Sequence, residues 1–159
     1  KHKLEASVES IPMPDGFFDL ATTAWVGEHL PRPLAALREI HRVLRPGGRL
    51  VVLTPNAWNY NAWLVRAVPY RFHDYFTRRL YGRQERDTYP VRYRMNTPRE
   101  LERRATEAGF HRVRLILNGD PSYIAFNEPL FRIARALEGL LELPGLNQAR
   151  VHLIGLFER

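Results

Sequence analysis

Hydrophobic residues recur along residues 11–56 in three successive patterns, which predict a strand, a helix and a second strand. Phe17 to Thr23 is a run of aromatic and small residues that ends in polar ones, as a buried parallel strand does. Pro33 suits the first turn of the helix because its φ is fixed near the helical value. The helical spacing is carried by Leu34, Leu37, Ile40 and Leu44. Arg49 to Thr54 is the second apolar run, so this order predicts a right-handed β-α-β unit with parallel strands.

The alternation of predicted helices and strands resumes near residue 97. Thr97-Pro98-Arg99-Glu100 has an N-cap threonine, a proline at the first helical position and a glutamate three residues after the cap. Gly109 ends this helix, and His111 to Leu117 alternates as a half-buried strand does. A further amphipathic helix is predicted at 129–142 and a last strand at 151–157. The inward residues of this helix are predicted to be Leu130, Ile133, Ala134, Leu137 and Leu141.

The stretch between these two blocks is too long to be a simple connection, so residues 57–94 are predicted to be a folded insertion. The insertion leaves from the carboxyl edge of the second strand, where ligands bind in parallel α/β folds. Its residues are rich in aromatic rings and arginine, which is typical of a helical lid over a ligand. The whole chain is therefore predicted to be one α/β domain, with its core at 1–56 and 95–159.

Five short motifs in order give this chain a family resemblance. They are Ile11-Pro12-Met13-Pro14-Asp15, Phe18-Asp19, Glu28-His29-Leu30, Arg45-Pro46-Gly47-Gly48 and Thr54-Pro55-Asn56. In this order they resemble the middle of a class I S-adenosylmethionine (SAM)-dependent methyltransferase of the methyltransferase-11 type. The resemblance implies a Rossmann-like, mostly parallel sheet, with an antiparallel last strand between the fifth and sixth. It also implies SAM as the cofactor and strands three to seven from this chain.

The resembled family carries a glycine-rich SAM loop after its first strand, and no such loop lies near Lys1. The chain is therefore similar to the C-terminal two-thirds of the family's domain, truncated at the N-terminus. Its fourth strand is expected to expose an edge, and a second copy that covers the edge would make a homodimer. A truncated enzyme and a natural remnant both remain open.

The resemblance also assigns candidate cofactor residues. Ser7 and Val8 occupy the position beside the adenine, and Thr23, Ala24 and Trp25 follow the fourth strand beside the methionine end of SAM. A tryptophan near the sulfonium would attract it through a cation–π interaction. The alternatives are that Ser7 only ends an edge strand and that Trp25 only fills the core.

Glu28 and His29 resemble part of an ExxEH metal motif, but Trp25 replaces its first glutamate, so no metal site is predicted. His29 is a candidate for a general base or an acceptor contact. The alternative is that Glu28 pairs locally and His29 packs under the insertion. The other candidate acceptor contacts are Asn56, Trp63, Tyr75 and Tyr93. For Asn56 the alternative is turn formation, and for Tyr93 it is surface packing.

Charge and composition narrow the partners. The net charge is +7, and residues 57–94 hold eight arginines and three acidic residues, a difference of +5. This excess favours an anionic or amphipathic small-molecule acceptor and allows a transient contact with a membrane surface. No nucleic-acid recognition motif accompanies the basic residues. The chain has no cysteine, which agrees with a cytoplasmic protein, and a bacterial source is expected.

The function that these features predict is methyl transfer from SAM to a small acceptor. Such a displacement depends on orientation and desolvation, so it requires no universal catalytic side chain. The alternative is a non-catalytic methyltransferase-like remnant, or an interaction module, that no longer binds SAM.

Overall fold

The computed structural model describes residues 3–60, 90–124 and 127–159. Within these residues four strands form one open sheet in the order β1-β2-β4-β3, and the place of the last strand in this order is the one that the resemblance predicted. The strands are β1 (Phe18–Ala24), β2 (Leu44–Pro55), β3 (His111–Asn118) and β4 (His152–Glu158). The helices are α1 (Pro33–Val43), α2 (Pro98–Glu107) and α3 (Glu128–Leu140). Short 3-10 turns span Gly27–His29, Pro121–Ile124 and Asn147–Ala149.

The described residues fall into two compact units. The first holds residues 3–55, 92–116 and 153–159, and the second holds residues 56–60, 90–91, 117–124 and 127–152. Most of the predicted insertion, residues 61–89, lies outside the described residues. The division into a core and an insertion therefore stays a prediction.

The strand pairings confirm the predicted topology. β1 and β2 are parallel, with Leu20 opposite Arg49 and Ala24 opposite Leu53. β2 and β4 are antiparallel. The Arg159 N–H donates to Gly48 O near the start of β2 (2.9 Å), and the Asn56 N–H donates to Val151 O just past its end (2.8 Å). The last strand thus lies between the strands that the resemblance numbers five and six.

The glycine turn before β2 differs from the prediction. The second strand was predicted from Arg49, but Leu44 already pairs with Phe18, and the next pair is Leu20 with Arg49. Residues 45–48 therefore bulge out of the ladder opposite Asp19. Gly47 has φ +74°, a left-handed conformation that favours glycine. The bulge lets β2 begin immediately after α1.

The core of the first unit forms where α1 and α2 cover the sheet. Both helices begin as predicted, with proline in the first turn, and the Thr97 hydroxyl accepts from the Glu100 N–H (3.2 Å). Phe110 and Phe157 pack together with 6.4 Å between ring centroids. His41 meets Phe110 edge to face at 5.0 Å, and burial lowers the pKa of this histidine. The core also contains Leu37, Ile40, Val43, Leu50, Val52, Leu101, Ala105 and Leu153.

Among the described strands, β1 lies at one edge of the sheet, and none of its residues is buried. This confirms the expectation that the strand corresponding to the family's fourth exposes an edge. The expectation of a strand before it was wrong for the described residues. Residues 3–17 form only an isolated bridge between Ser7 and Ser10. A strand needs a hydrogen-bonding neighbour, and the described strands offer this segment none.

The segment before β1 is instead held against α1 mainly by Glu39 and Arg42. The Arg42 guanidinium donates to Ile11 O and Met13 O, both at 2.9 Å, and to Asp15 Oδ1 at 2.6 Å. Glu39 Oε1 accepts from the Ile11 N–H at 2.8 Å and from Arg42 Nη2 at 2.7 Å. The motif 11–15 therefore depends on Glu39 and Arg42 for its position.

Acid should loosen this attachment. The Arg42 hydrogen bonds, followed by the Ile11 N–H, lower the pKa of Glu39 from 4.5 to about 2. A lowered pKa in the folded state stabilises the fold above the ordinary pKa, and that contribution is lost as the pH falls from 4.5 towards 2. We expect Glu39→Gln to destabilise the protein at about pH 6 and the difference from wild type to shrink at about pH 3. Urea unfolding at both pH values measures this.

The matched control for this prediction is Glu128→Gln, because Glu128 forms an exposed pair with Arg132 on α3. Exposed pairs of this kind contribute little to stability. A Glu39→Gln difference that stayed constant down to about pH 3 would contradict the proposed linkage.

The second unit has its own small core of Tyr60, Leu141 and Val151, with Leu137 and Ala149 packed against it. The Asn127 side chain caps α3 by accepting from the Leu130 N–H (2.9 Å). The prediction that Ile133 points inward was wrong, because this side chain is exposed. No helix of the described residues is long and apolar enough to cross a membrane.

Candidate functional site

The carboxyl ends of β1 and β2 lie side by side and position the site. Ala24 pairs with Leu53, and the Trp25 N–H donates to Leu53 O at 3.0 Å, so Trp25 and Thr54 follow at the same edge of the sheet. Thr23 is half-buried, Ala24 is exposed and the Trp25 side chain is 42% exposed. The three residues therefore lie where the sequence placed them, at the end of the strand.

The chain then turns back over Thr54 through the short turn Gly27–His29. A Cβ at Gly27 would lie 3.3 Å from Thr54 Oγ1 and 3.3 Å from the Met95 methyl group, so glycine allows the close approach. This approach carries the side chain of Glu28 into the protein, where it is buried. A carboxylate is thus enclosed at the ligand-binding edge of the fold.

Glu28 belongs to a buried chain of hydrogen bonds. The Thr54 hydroxyl donates to Glu28 Oε2 at 3.1 Å, and Asn96 Nδ2 donates to Thr54 Oγ1 at 2.6 Å. Asn96 Nδ2 also donates to Pro55 O at 3.1 Å, and this fixes the orientation of the amide because a carbonyl can only accept. Asn96 Oδ1 is buried without a hydrogen-bond partner among the described residues.

The backbone around Glu28 is also constrained. The N–H groups of Arg92 and Tyr93 both donate to Glu28 O, at 2.7 and 3.3 Å. Trp25 (φ 59°) and Tyr93 (φ 49°) have a left-handed backbone conformation although neither is glycine. Such strained conformations cluster at functional sites in proteins. Both flank the same glutamate.

Tyr93 and His29 form the outer part of this cluster. The Tyr93 ring is half exposed, and burial of its hydroxyl group, followed by the Glu28 charge, raises the pKa of the phenol. His29 Nε2 lies 4.0 Å from Glu28 Oε1. The described residues contain no group of three or more histidine, cysteine, aspartate or glutamate side chains that could hold a metal ion.

The other predicted site residues lie elsewhere. Ser7 is exposed, and its hydroxyl accepts from the Glu9 N–H at 3.2 Å, while Val8 is half-buried in the same turn. Their role beside the adenine stays a prediction. Trp63 and Tyr75 lie outside the described residues.

Asn56 belongs to the second unit and is fully buried. Its Nδ2 donates to Gln148 O and Arg150 O, at 2.7 and 2.8 Å, and its Oδ1 accepts from the Trp58 N–H at 3.1 Å. These contacts support the turn-forming alternative for Asn56. A contact with the acceptor stays a prediction.

Sequence reasoning missed Thr54 and Asn96 as members of the site. Thr54 was seen only as the end of a strand, and Asn96 stands one residue before a helix cap. The available signal was that Thr54 is a polar residue at the end of an apolar run and that Asn96 is a polar residue just before a helix. Nothing in the sequence spacing connects positions 28, 54 and 96.

Comparisons with known proteins agree with this fold. A family described as a methyltransferase domain matches residues 1–52. A ubiquinone/menaquinone biosynthesis C-methyltransferase (UbiE) from Rhizobium johnstonii is 34% identical over 123 residues, which are 69% of this chain and 44% of the relative. The chain thus spans less than half the length of that relative.

Solved structures show the same fold at low identity. A SAM-dependent methyltransferase from Thermotoga maritima matches 98% of this chain and 62% of its own, with a TM-score of 0.59 and 18% identity. The [4+2]-cyclase SpnF matches 97% of this chain and 54% of its own, with a TM-score of 0.52 and 19% identity. Motifs, relatives and fold together identify the chain as a member of the class I SAM-dependent methyltransferase family.

Proposed function

We propose that this protein transfers the methyl group of SAM to a small amphipathic or anionic acceptor with a quinone-like ring. The observation that carries the proposal is the buried Glu28 carboxylate beside Trp25, at the carboxyl ends of two neighbouring parallel strands. In open α/β sheets this edge is where ligands bind. The UbiE relative, named as a C-methyltransferase of quinone biosynthesis, supports the acceptor class.

The residues at this edge fit the chemistry of SAM. When bound, SAM supplies an electrophilic methyl group on a positively charged sulfonium. The Trp25 ring suits such a cation, and the negative charge of Glu28 adds to the attraction. Asn96 Oδ1 is a buried acceptor without a partner among the described residues, and SAM carries ammonium and hydroxyl donors. Thr23 and Ala24 would border the methionine end.

The fold alone does not determine which reaction is catalysed, because one structural neighbour with this fold is named as a [4+2]-cyclase. The proposal therefore needs a direct test of cofactor binding. We expect this protein to bind SAM and S-adenosylhomocysteine with about micromolar affinity in a calorimetric titration. Trp25→Ala should weaken SAM binding by about 3- to 30-fold, and S-adenosylhomocysteine binding by less, because only SAM carries the sulfonium charge.

The matched control is Trp58→Ala, since Trp58 is 43% exposed, close to the 42% of Trp25, and belongs to the second unit. This variant should leave both affinities unchanged. The titration is repeated with any upstream coding sequence included. Absence of binding in both forms would contradict the proposal and favour the non-catalytic alternative.

The acceptor class is tested separately by incubating the protein with SAM and a set of small aromatic acceptors. We expect a methylated hydroquinone or naphthol product by mass spectrometry, and none with an aliphatic amine of similar size. Methylation of the amine alone would contradict the quinone-like acceptor and leave cofactor use intact.

A further inference from the structure

The two carboxylate oxygens of Glu28 have different neighbours. One accepts a hydrogen bond from a buried side chain, and the other lies on the side of His29. Because Asn96 Nδ2 supplies a hydrogen to Thr54 Oγ1, the single hydroxyl hydrogen of Thr54 is directed to Glu28 Oε2. Glu28 Oε1 is the oxygen that lies 4.0 Å from His29 Nε2. This separation is about 1 Å longer than a hydrogen bond, and hydrogen bonds between catalytic groups often tighten only when the substrate binds.

The two side chains differ in their access to solvent. The Glu28 side chain is 7% exposed, whereas that of His29 is 34% exposed. An acceptor can therefore touch the imidazole but cannot replace Thr54 at the carboxylate. Two exposed aromatic side chains, Trp25 and Tyr93, flank the same turn and offer flat surfaces to an aromatic acceptor.

Resting on the proposed function, we infer that His29 is the general base of the reaction and that Glu28 is its positioning residue. His29 takes the proton of an acidic hydroxyl on the acceptor ring. The oxygen keeps the bonding electron pair and becomes a phenolate, and the proton is held at His29 Nδ1. The carboxylate of Glu28 then stabilises the positive charge of the imidazolium through its Nε2–H. No oxidant or reductant is needed.

This assignment defines the acceptor more narrowly than the fold does. A phenolate is nucleophilic at its oxygen and at the ring carbons beside it, so one proton transfer prepares either atom for the methyl group. After transfer to carbon, the proton of that ring carbon moves through solvent to the ring oxygen, which restores the aromatic hydroxyl. A neutral phenol is a much weaker nucleophile. The protein is therefore assigned an acceptor with an ionisable ring hydroxyl, and histidine is the side chain ordinarily suited to removing such a proton near neutral pH.

The first test reads the proton transfer without methyl transfer. A nitrophenol is titrated with pH in the presence of saturating protein, and the absorbance of its phenolate is recorded. We expect the wild-type protein to ionise the bound phenol at a lower pH than the phenol shows in water. His29→Gln should abolish this shift, and His111→Gln, at an exposed position of β3, should preserve it.

The second test uses acceptor acidity. With a weakly acidic phenol, His29→Gln should lower kcat by about 10²- to 10⁴-fold, the usual contribution of a general base. With a phenol that is already ionised at the assay pH, the loss should be less than about tenfold. Glu28→Gln should lower kcat with little change in KM, because Gln still accepts from Thr54 but lacks the charge. Glu28→Asp should restore part of the rate.

The outcomes separate this inference from the proposed function. An equal loss of rate for both phenols, or an unchanged nitrophenol titration in His29→Gln, would overturn the base assignment even if SAM binds. A normal nitrophenol shift without any SAM binding would contradict methyl transfer and leave the proton-transfer site standing. Circular dichroism of each variant checks that it is folded. If Glu28→Gln is not folded, Glu28→Asp replaces it in the kinetic test.

Discussion

Replacing Phe110 with alanine is expected to lower the free energy of unfolding by about 3–5 kcal/mol, the range for large-to-small changes of a buried aromatic residue. Phe110 is 1% exposed and packs against Phe157 and His41. It follows Gly109 at the end of α2, and its N–H donates to Ala105 O at 3.0 Å. Truncation would leave a cavity between α1, α2 and β4, and rigid neighbours cannot fill it.

The measurement is urea unfolding of wild type, Phe110→Ala and a matched Phe17→Ala. Phe17 is the same residue type but is 57% exposed beside β1, so its loss should change the free energy of unfolding by less than about 1 kcal/mol. Equal effects of the two substitutions would mean that the helices do not pack on the sheet at Phe110.

The main elements of the first unit were predictable because each has a local signal. Pro33 and Thr97 begin α1 and α2 in the structure, as proline placement and capping chemistry require. The apolar runs that end at Thr23 and Thr54 became β1 and β2 with their parallel pairing. These signals are contained in a few consecutive residues, so a single sequence carries them.

Two expectations failed where the outcome depends on neighbours rather than on pattern. Ile133 fits the apolar stripe of α3 but is exposed, because the small second-unit core is filled by Tyr60, Leu141 and Val151. The segment before β1 was expected to supply the strand that the resemblance numbers three, but residues 3–17 form only an isolated bridge and pair with no described strand. Periodicity states which residues can be buried, and the neighbours determine which ones are.

The candidate site was only half visible in the sequence for the same reason. Trp25 and His29 stand close together along the chain, so their joint role could be considered from spacing alone. The partners that fix Glu28 come from the end of β2 and from the residue before α2. Their meeting depends on the parallel register of β1 with β2, which places Thr54 beside the turn that carries Glu28.

Thr54→Val tests whether this buried network stabilises the protein as well as orienting Glu28. The substitution keeps the shape of the side chain but removes the only hydroxyl that donates to Glu28 Oε2 among the described contacts. A buried carboxylate oxygen without its donor costs about 1–3 kcal/mol. We expect the free energy of unfolding at neutral pH to fall by that amount, because the buried Glu28 carboxylate loses the hydroxyl that donates to its Oε2.

The matched control is Thr22→Val on the neighbouring strand, where the threonine is exposed. Valine suits a strand as well as threonine does, so this change should stay within about 0.5 kcal/mol. The double variant Thr54→Val with Glu28→Gln should cost less than the sum of its two single changes, because a neutral amide loses less than a carboxylate when the hydroxyl is removed. Additive costs would mean that Thr54 and Glu28 do not interact, and Glu28 would then have no fixed oxygen from which to position His29.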